Sequence, residues 1–169
     1  METITTFFFL HPMRPYGVRE LSRLTHTDTK TVMKYLQELV KKKIIARKKE
    51  AGKFPYYEAN RNSYIYRHEK SEVMVKRIIE SGLIEFLEHH FSPEVIVLFG
   101  SIQKGTYHQE SDIDLFIHAS PKRVDLSSFQ AKIGYPIQLF CEENIHSLSK
   151  GLLTNIYNGL ILAGKLELP

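Results

Sequence analysis

The chain has 169 residues, with 43% hydrophobic and 25% charged residues and a net charge of +4, which suits one average globular domain or two small ones. Its one cysteine, Cys141, excludes an internal disulfide, and no apolar run is long enough to span a bilayer. The run Phe7–Leu10 is too short for a signal-peptide core and has no basic stretch before it; the single cysteine fits a reducing cytoplasm, the expected location.

The charge is unevenly divided. Residues 1–70 hold 15 Lys+Arg and 7 Asp+Glu, a balance of +8, whereas residues 71–169 hold 8 and 12, a balance of −4. Such asymmetry suggests two modules with different partners, the basic one facing a polyanion such as nucleic acid or simply carrying a solvated basic surface. No repeat or low-complexity linker separates the halves, so the boundary is expected within a helix.

In chain order, residues 2–10 read as a short apolar helix stopped near Pro12. Gly17-Val18 opens a second helix, VRELSRLT, with Val18, Leu21 and Leu24 on one face. The turn HTDT follows, with Asp28 as an N-cap. The next helix, TKTVMKYLQELVKKK, sets Val32, Leu36, Leu39 and Val40 at helical spacing and shows Thr29, Lys30, Met33, Lys34 and Gln37 on its other face. The cations Lys41-Lys42-Lys43 also suit a helix C-terminus. Residues 44–49 and 54–59 read as strands joined at Gly52, a hairpin whose loop carries Lys48, Lys49 and Lys53, with Pro55 suited to an edge strand.

Residues 71–90 place Val75, Ile78, Ile79, Leu83, Phe86 and Leu87 in a helical stripe, with Ser71 as a cap, Gly82 as a weak point and Ser92-Pro93 as the stop. An apolar strand at 95–99 then breaks at Gly100-Ser101 into a polar loop, LFGSIQKGTYHQESDIDLFI. Asp112 and Asp114 stand one residue apart at the head of the next apolar run. In a strand they project together, with alpha carbons about 6–7 Å apart. At a protein-surface dielectric they repel by about 2–3 kcal/mol. A bridging divalent cation, Mg²⁺ or Mn²⁺, turns that repulsion into a site, particularly with phosphate oxygens completing the shell. Gly100 and Ser101 can bring backbone N–H groups and a hydroxyl to a phosphate, Lys104 adds positive charge and Gly105 allows a tight turn. Metal and phosphate cradle together point to a nucleoside triphosphate as substrate or ligand, with in-line attack on the alpha phosphorus as the chemistry.

Beyond it, residues 126–133 read as a helix, 135–141 as a strand, 145–157 as a helix closed by Asn158-Gly159, and GLILAG as a short final strand. His89-His90 suits a helix C-terminus, His108 a solvated loop, and His118 the far end of the aspartates' strand. Cys141 reads as a small strand residue, and the tyrosines at 56–66 as packing between the hairpin and the following helix.

Two short helices, a tight turn, a third helix with exposed Lys, Thr and Gln, and a basic hairpin resemble the winged helix-turn-helix family over residues 1–62. The resemblance implies that the third helix enters the DNA major groove and the hairpin wing touches backbone or minor groove. Thr29, Lys30, Lys34 and Gln37 would then be groove contacts, and Arg47, Lys48, Lys49 and Lys53 phosphate contacts. Protein docking or dimerisation is the competing use of such a domain, because the third helix lacks Arg or Asn for base reading.

Gly100-Ser101, Lys104-Gly105 and Ser111-Asp112-Ile113-Asp114-Leu115 resemble the minimal nucleotidyltransferase family of the DNA-polymerase-beta-like superfamily, over about residues 71–167. The resemblance implies an α+β chain: a winged helix over 1–68, then a small mixed-sheet domain over 69–169 with a leading helix at 71–90. Asp112 and Asp114 become the catalytic and metal-binding pair, and Gly100, Ser101, Lys104, Gly105 and Ser111 the nucleotide-binding set. Active members carry a third carboxylate on the third strand, where this chain has Gln138. Glutamine is neutral and is no base at neutral pH; Asp125 and Glu142 are near in sequence but displaced from that position.

Three readings follow. The first is a DNA-binding regulator, expected as a homodimer, whose second module binds Mg-nucleoside triphosphate. The second is an active transferase acting on a protein or small hydroxyl acceptor. The resemblance extends that reading to antitoxins, since some members of the family adenylylate or shield HEPN-type ribonuclease toxins. The third is an architectural protein that has lost its ligand. The charge division and Gln138 favour the first.

Overall fold

The computed structural model of the chain describes residues 4–166. The ends of the expected first helix (residues 2 and 3) and of the expected domains (1–3 and 167–169) lie outside them. The chain divides into two compact units between Lys70 and Ser71, two residues beyond the expected boundary at 68.

In the first unit, α1 (Ile4–Leu10), α2 (Val18–Thr25) and α3 (Thr29–Lys41) accompany a three-stranded antiparallel sheet of β1 (Tyr16–Gly17), β2 (Ile45–Lys48) and β3 (Tyr56–Ala59) in the order β1-β3-β2. Asp28 caps α3 as expected, its Oδ1 accepting the Thr31 N–H at 2.9 Å. Val32, Leu36 and Leu39 of α3 are buried with Phe8, Phe9, Leu21, Ile44, Ile45 and Tyr57. Tyr66 joins this core and its hydroxyl donates to the Phe8 carbonyl at 2.9 Å.

Three local expectations are corrected. α3 ends at Lys41 instead of Lys43, because Lys43 takes φ +59° to turn the chain into β2. The dipeptide Tyr16–Gly17 pairs with β3, a strand too short to show a period in the sequence. That pairing makes β3 the central strand, so Pro55 lies just before it instead of on an edge.

The helix expected at 71–90 is two helices, α4 (Tyr64–Glu80) and α5 (Leu83–Phe91). Gly82, with φ +81°, supplies the left-handed residue at the break, and Ser81 Oγ accepts the Leu83 N–H at 3.1 Å. Ser71 is therefore no cap. It lies inside α4, and its hydroxyl donates to the Gln103 carbonyl at 2.9 Å.

The second unit is a four-stranded mixed sheet, β4 (Val95–Phe99), β5 (Ile113–Ile117), β6 (Ile137–Cys141) and β7 (Leu160–Gly164), in the order β6-β5-β4-β7. β5 is antiparallel to β4 and parallel to β6, while β7 is antiparallel to β4. α7 (Ser127–Ile133) makes the crossover that a parallel β5–β6 pair requires.

Alternation sorts β5 cleanly. Ile113, Leu115 and Ile117 enter one core with Met74, Ile78, Leu83 and Leu87. Phe116 enters the other, with Val95, Val97, Phe99 and Ile156. The segment 145–157 is a 3₁₀ turn (Ile145–Ser147) and α8 (Lys150–Tyr157), not one helix. Ser149 separates them by accepting the Leu152 N–H at 3.3 Å as an N-cap. The fold is thus mixed α and β, with a winged-helix arrangement followed by a small mixed-sheet domain.

Candidate functional site

The first site lies at one end of the second unit's sheet. β4 runs into Gly100, and residues Gly100–Lys104 form a single short helix, α6, where a polar loop was expected. Ile102 is the reason: its side chain is fully buried and needs the helical turn to reach the core. Gly100 has φ +76°, and a Cβ built on it would lie 2.1 Å from Asp114 Oδ2 and 3.0 Å from Asp114 Cγ. The backbone at Gly100 therefore lies flush against the Asp114 carboxylate, an approach only glycine permits.

Asp114 pairs in register with Phe99 on β4 and with Gln138 on β6. It is half-buried on the sheet face that carries Phe116. Asp112 is exposed and sits just before β5, which begins at Ile113. The expectation of two aspartates within one strand is corrected to one in the strand and one at its threshold. Burial, and then the charge of Asp112, push the Asp114 carboxyl above its ordinary range.

Ser101 is half-buried and its carbonyl accepts the Thr106 N–H at 3.0 Å. Lys104 is exposed at the end of α6, and Gly105 closes that helix at φ +66°. Ser111 is buried, and its Oγ accepts the His108 N–H at 2.9 Å, so it orders the loop leading into Asp112. Tyr107 in the same loop packs edge-on against Tyr135 at 5.7 Å between ring centroids.

Gln138 is exposed on the outer strand. Neither nearby acid takes its place. Asp125 Oδ1 accepts the Ser127 N–H at 2.9 Å at the start of α7. Glu142 Oε1 accepts the Asn144 N–H at 3.0 Å beyond the other end of β6, about 13 Å along the strand from Gln138. These hydrogen bonds hold both carboxyls below their ordinary range. His118 is likewise at the far end of β5, its ring nitrogens contacting Glu94 Oε2 and the Glu143 carbonyl, each at 3.0 Å. Among the described residues no group of three or more His, Cys, Asp or Glu is assembled for a metal.

The donor set at this end is therefore two carboxylates, with a neutral amide beside them. Such a set could hold a divalent cation only with a shared anionic ligand: the cation would relieve the repulsion felt by Asp114, and the ligand's oxygens would have to supply the donors that the protein lacks.

The second site is on the first unit. Thr29, Lys30, Lys34 and Gln37 are all exposed on α3, and Arg47, Lys48, Lys49 and Lys53 on the hairpin. Two of the hairpin cations are neutralised locally. Lys48 Nζ lies 3.5 Å from Glu58 Oε1, and Lys53 Nζ 2.6 Å from Glu50 Oε2. Arg47 and Lys49 have no such partner among the described residues.

Sequence reasoning missed Arg19 and Phe54. Phe54, 83% exposed on the hairpin, has the Arg19 guanidinium of α2 over its ring, 5.4 Å from the centroid. That contact joins hairpin and helix, and a pairing 35 residues apart leaves no local signal.

Fold and sites together define a two-module protein: a winged helix, then a nucleotidyltransferase-like domain. Comparison with known families agrees. Residues 81–162 match the family described as polymerase beta, nucleotidyltransferase, and residues 18–96 match the penicillinase repressor family, a winged-helix repressor family. The first match runs from the start of α5 into β7, and the second takes in α2, α3 and the hairpin. No curated protein matches the chain. No helix among the described residues is long and apolar enough to cross a membrane.

Proposed function

We propose that this chain is a DNA-binding transcriptional regulator whose second module binds a magnesium-bound nucleoside triphosphate as a ligand. The carrying observation is the register of Gln138 with Asp114. The Asp112–Asp114 pair and its glycine cradle are kept, while the partner position on β6 holds an amide. Asp112 and Asp114 would hold the cation, and Gly100, Ser101, Lys104 and Gly105 would face the phosphates. When bound, the cation supplies charge neutralisation for the phosphate oxygens. With glutamine at 138, no base stands there to draw a proton from an acceptor hydroxyl.

On the first module, the exposed row of α3 would enter the major groove, and the hairpin and α2 would touch phosphates. A homodimer on paired half-sites fits this use. Sedimentation of the protein with DNA tests it, and one protomer per duplex counts against it.

Calorimetry with Mg²⁺ and a non-hydrolysable triphosphate tests the ligand. Binding that Asp112→Asn abolishes is the expected result, with no label passing from ATP to the protein or to a cell extract. The second reading, a transferase acting on a protein such as a HEPN-type toxin or on a small hydroxyl, draws on the intact packing of Gly100 against Asp114. Asp112-dependent transfer of label would establish it in place of the first.

A further inference from the structure

The exposed side of α3 is not uniformly polar. Thr29, Met33 and Gln37 follow one another at four-residue spacing and form a row along the helix. Lys30 and Lys34 flank that row on one side and Lys41 continues it at the helix end, all exposed and none with an ion-pair partner among the described residues. Met33 is 46% exposed in the middle of the row and takes no part in the core formed by Val32, Leu36 and Leu39. Nothing in the packing of the unit calls for a thioether there.

A surface with an apolar centre and a cationic flank complements one feature of duplex DNA. In the major groove the thymine methyl is the apolar group that a base edge presents, and it lies among phosphates that attract lysine. Gln37, one turn further on, carries an amide of the type that pairs with adenine N6 and N7. Four residues of helix rise about 6 Å, close to two base-pair steps of about 3.4 Å.

Resting on the DNA-binding reading above, we propose that Met33 is a specificity-determining residue of α3 that reads the methyl group of a thymine, with Gln37 reading a base about two steps away. Lys30, Lys34 and Lys41 hold the helix to the backbone and carry no sequence preference.

The test uses the full chain and a duplex enriched by it from a random-sequence pool. Each thymine is replaced in turn by deoxyuridine, which removes the methyl alone, and Kd is read by fluorescence anisotropy at fixed salt. For the unaltered protein, one thymine should stand out, its replacement weakening binding about fourfold, the value of one buried methyl-sized group. In Met33→Ala that thymine should lose its methyl dependence while other positions keep theirs, and Met33→Leu should retain it. Because the side chain is exposed, the thermal melt of Met33→Ala should match that of the parent. Specific binding with no methyl-sensitive thymine, or with the same sensitivity in Met33→Ala, overturns the inference and leaves DNA binding standing. Failure to enrich any duplex overturns the DNA-binding reading and this inference together.

Discussion

Gln138 stands beside Asp114 across the parallel β5–β6 ladder, one register step from the Ile113–Ile137 pair. Parallel register partners face the same side of a sheet, so the amide occupies the place where a carboxylate would complete a triad with Asp112 and Asp114. Replacing it with aspartate adds charge without disturbing the core, because the position is exposed. Gln138→Asp should bind Mg²⁺ or Mn²⁺ at least several-fold more tightly by calorimetry and, with labelled ATP, should show transfer absent from the parent. Unchanged metal affinity and no transfer would mean that the third acid is not what the site lacks.

Gly100→Ala should damage both stability and ligand binding. The added Cβ meets the Asp114 carboxylate at 2.1 Å, at a φ of +76°. Strain of this kind costs about 1–3 kcal/mol, and the carboxylate must also move. A lowered thermal midpoint together with loss of triphosphate binding is expected. An unchanged melt would show that the backbone here relaxes freely.

Asp114→Asn should stabilise the protein near neutral pH while abolishing triphosphate binding. The folded carboxyl titrates above its unfolded value because of burial and then Asp112. For an acid shifted upward, the folded state binds more protons than the unfolded one between the two values. Stability is therefore lost as pH rises through that window, and the penalty is full above the folded value. The amide removes it, so Asp114→Asn should melt higher than the parent at pH 7, and the gain should shrink towards zero below the unfolded carboxylate range. A gain of the same size at both pH values would point to a cause other than titration.

On the hairpin, Arg47→Ala and Lys49→Ala should each flatten the salt dependence of DNA binding by about 0.9 in log Kd against log salt, as the loss of one phosphate contact requires. Lys48→Ala and Lys53→Ala should do less, because Glu58 and Glu50 already hold those ammonium groups. Equal effects from all four would mean that the ion pairs open on binding at no cost.

Much of this was legible in the residues. Asp28 announced the start of α3, the stripe Val32–Leu36–Leu39 its buried face, and Ser111–Leu115 the loop-to-strand passage at the acidic end. Gln138 was identified as the departure, and the β5–β6 register sets it beside Asp114. Part of what was hidden depends on partners distant in sequence, and part on where a helix starts or breaks. Tyr16–Gly17 is a strand only because β3 lies beside it. Residues 100–104 become helical because Ile102 must reach the core. Ser71, a good cap in isolation, lies mid-helix because α4 begins earlier, at Tyr64. Ser81-Gly82 and Leu148-Ser149 divide apolar stripes that periodicity alone runs together.

β6 is an outer strand, and Gln138 lies on its exposed surface. A change of residue there displaces no packed neighbour. Restoring an acid there would open no cavity and remove no packing, so its cost to folding would be electrostatic alone, set by the neighbouring Asp114 charge.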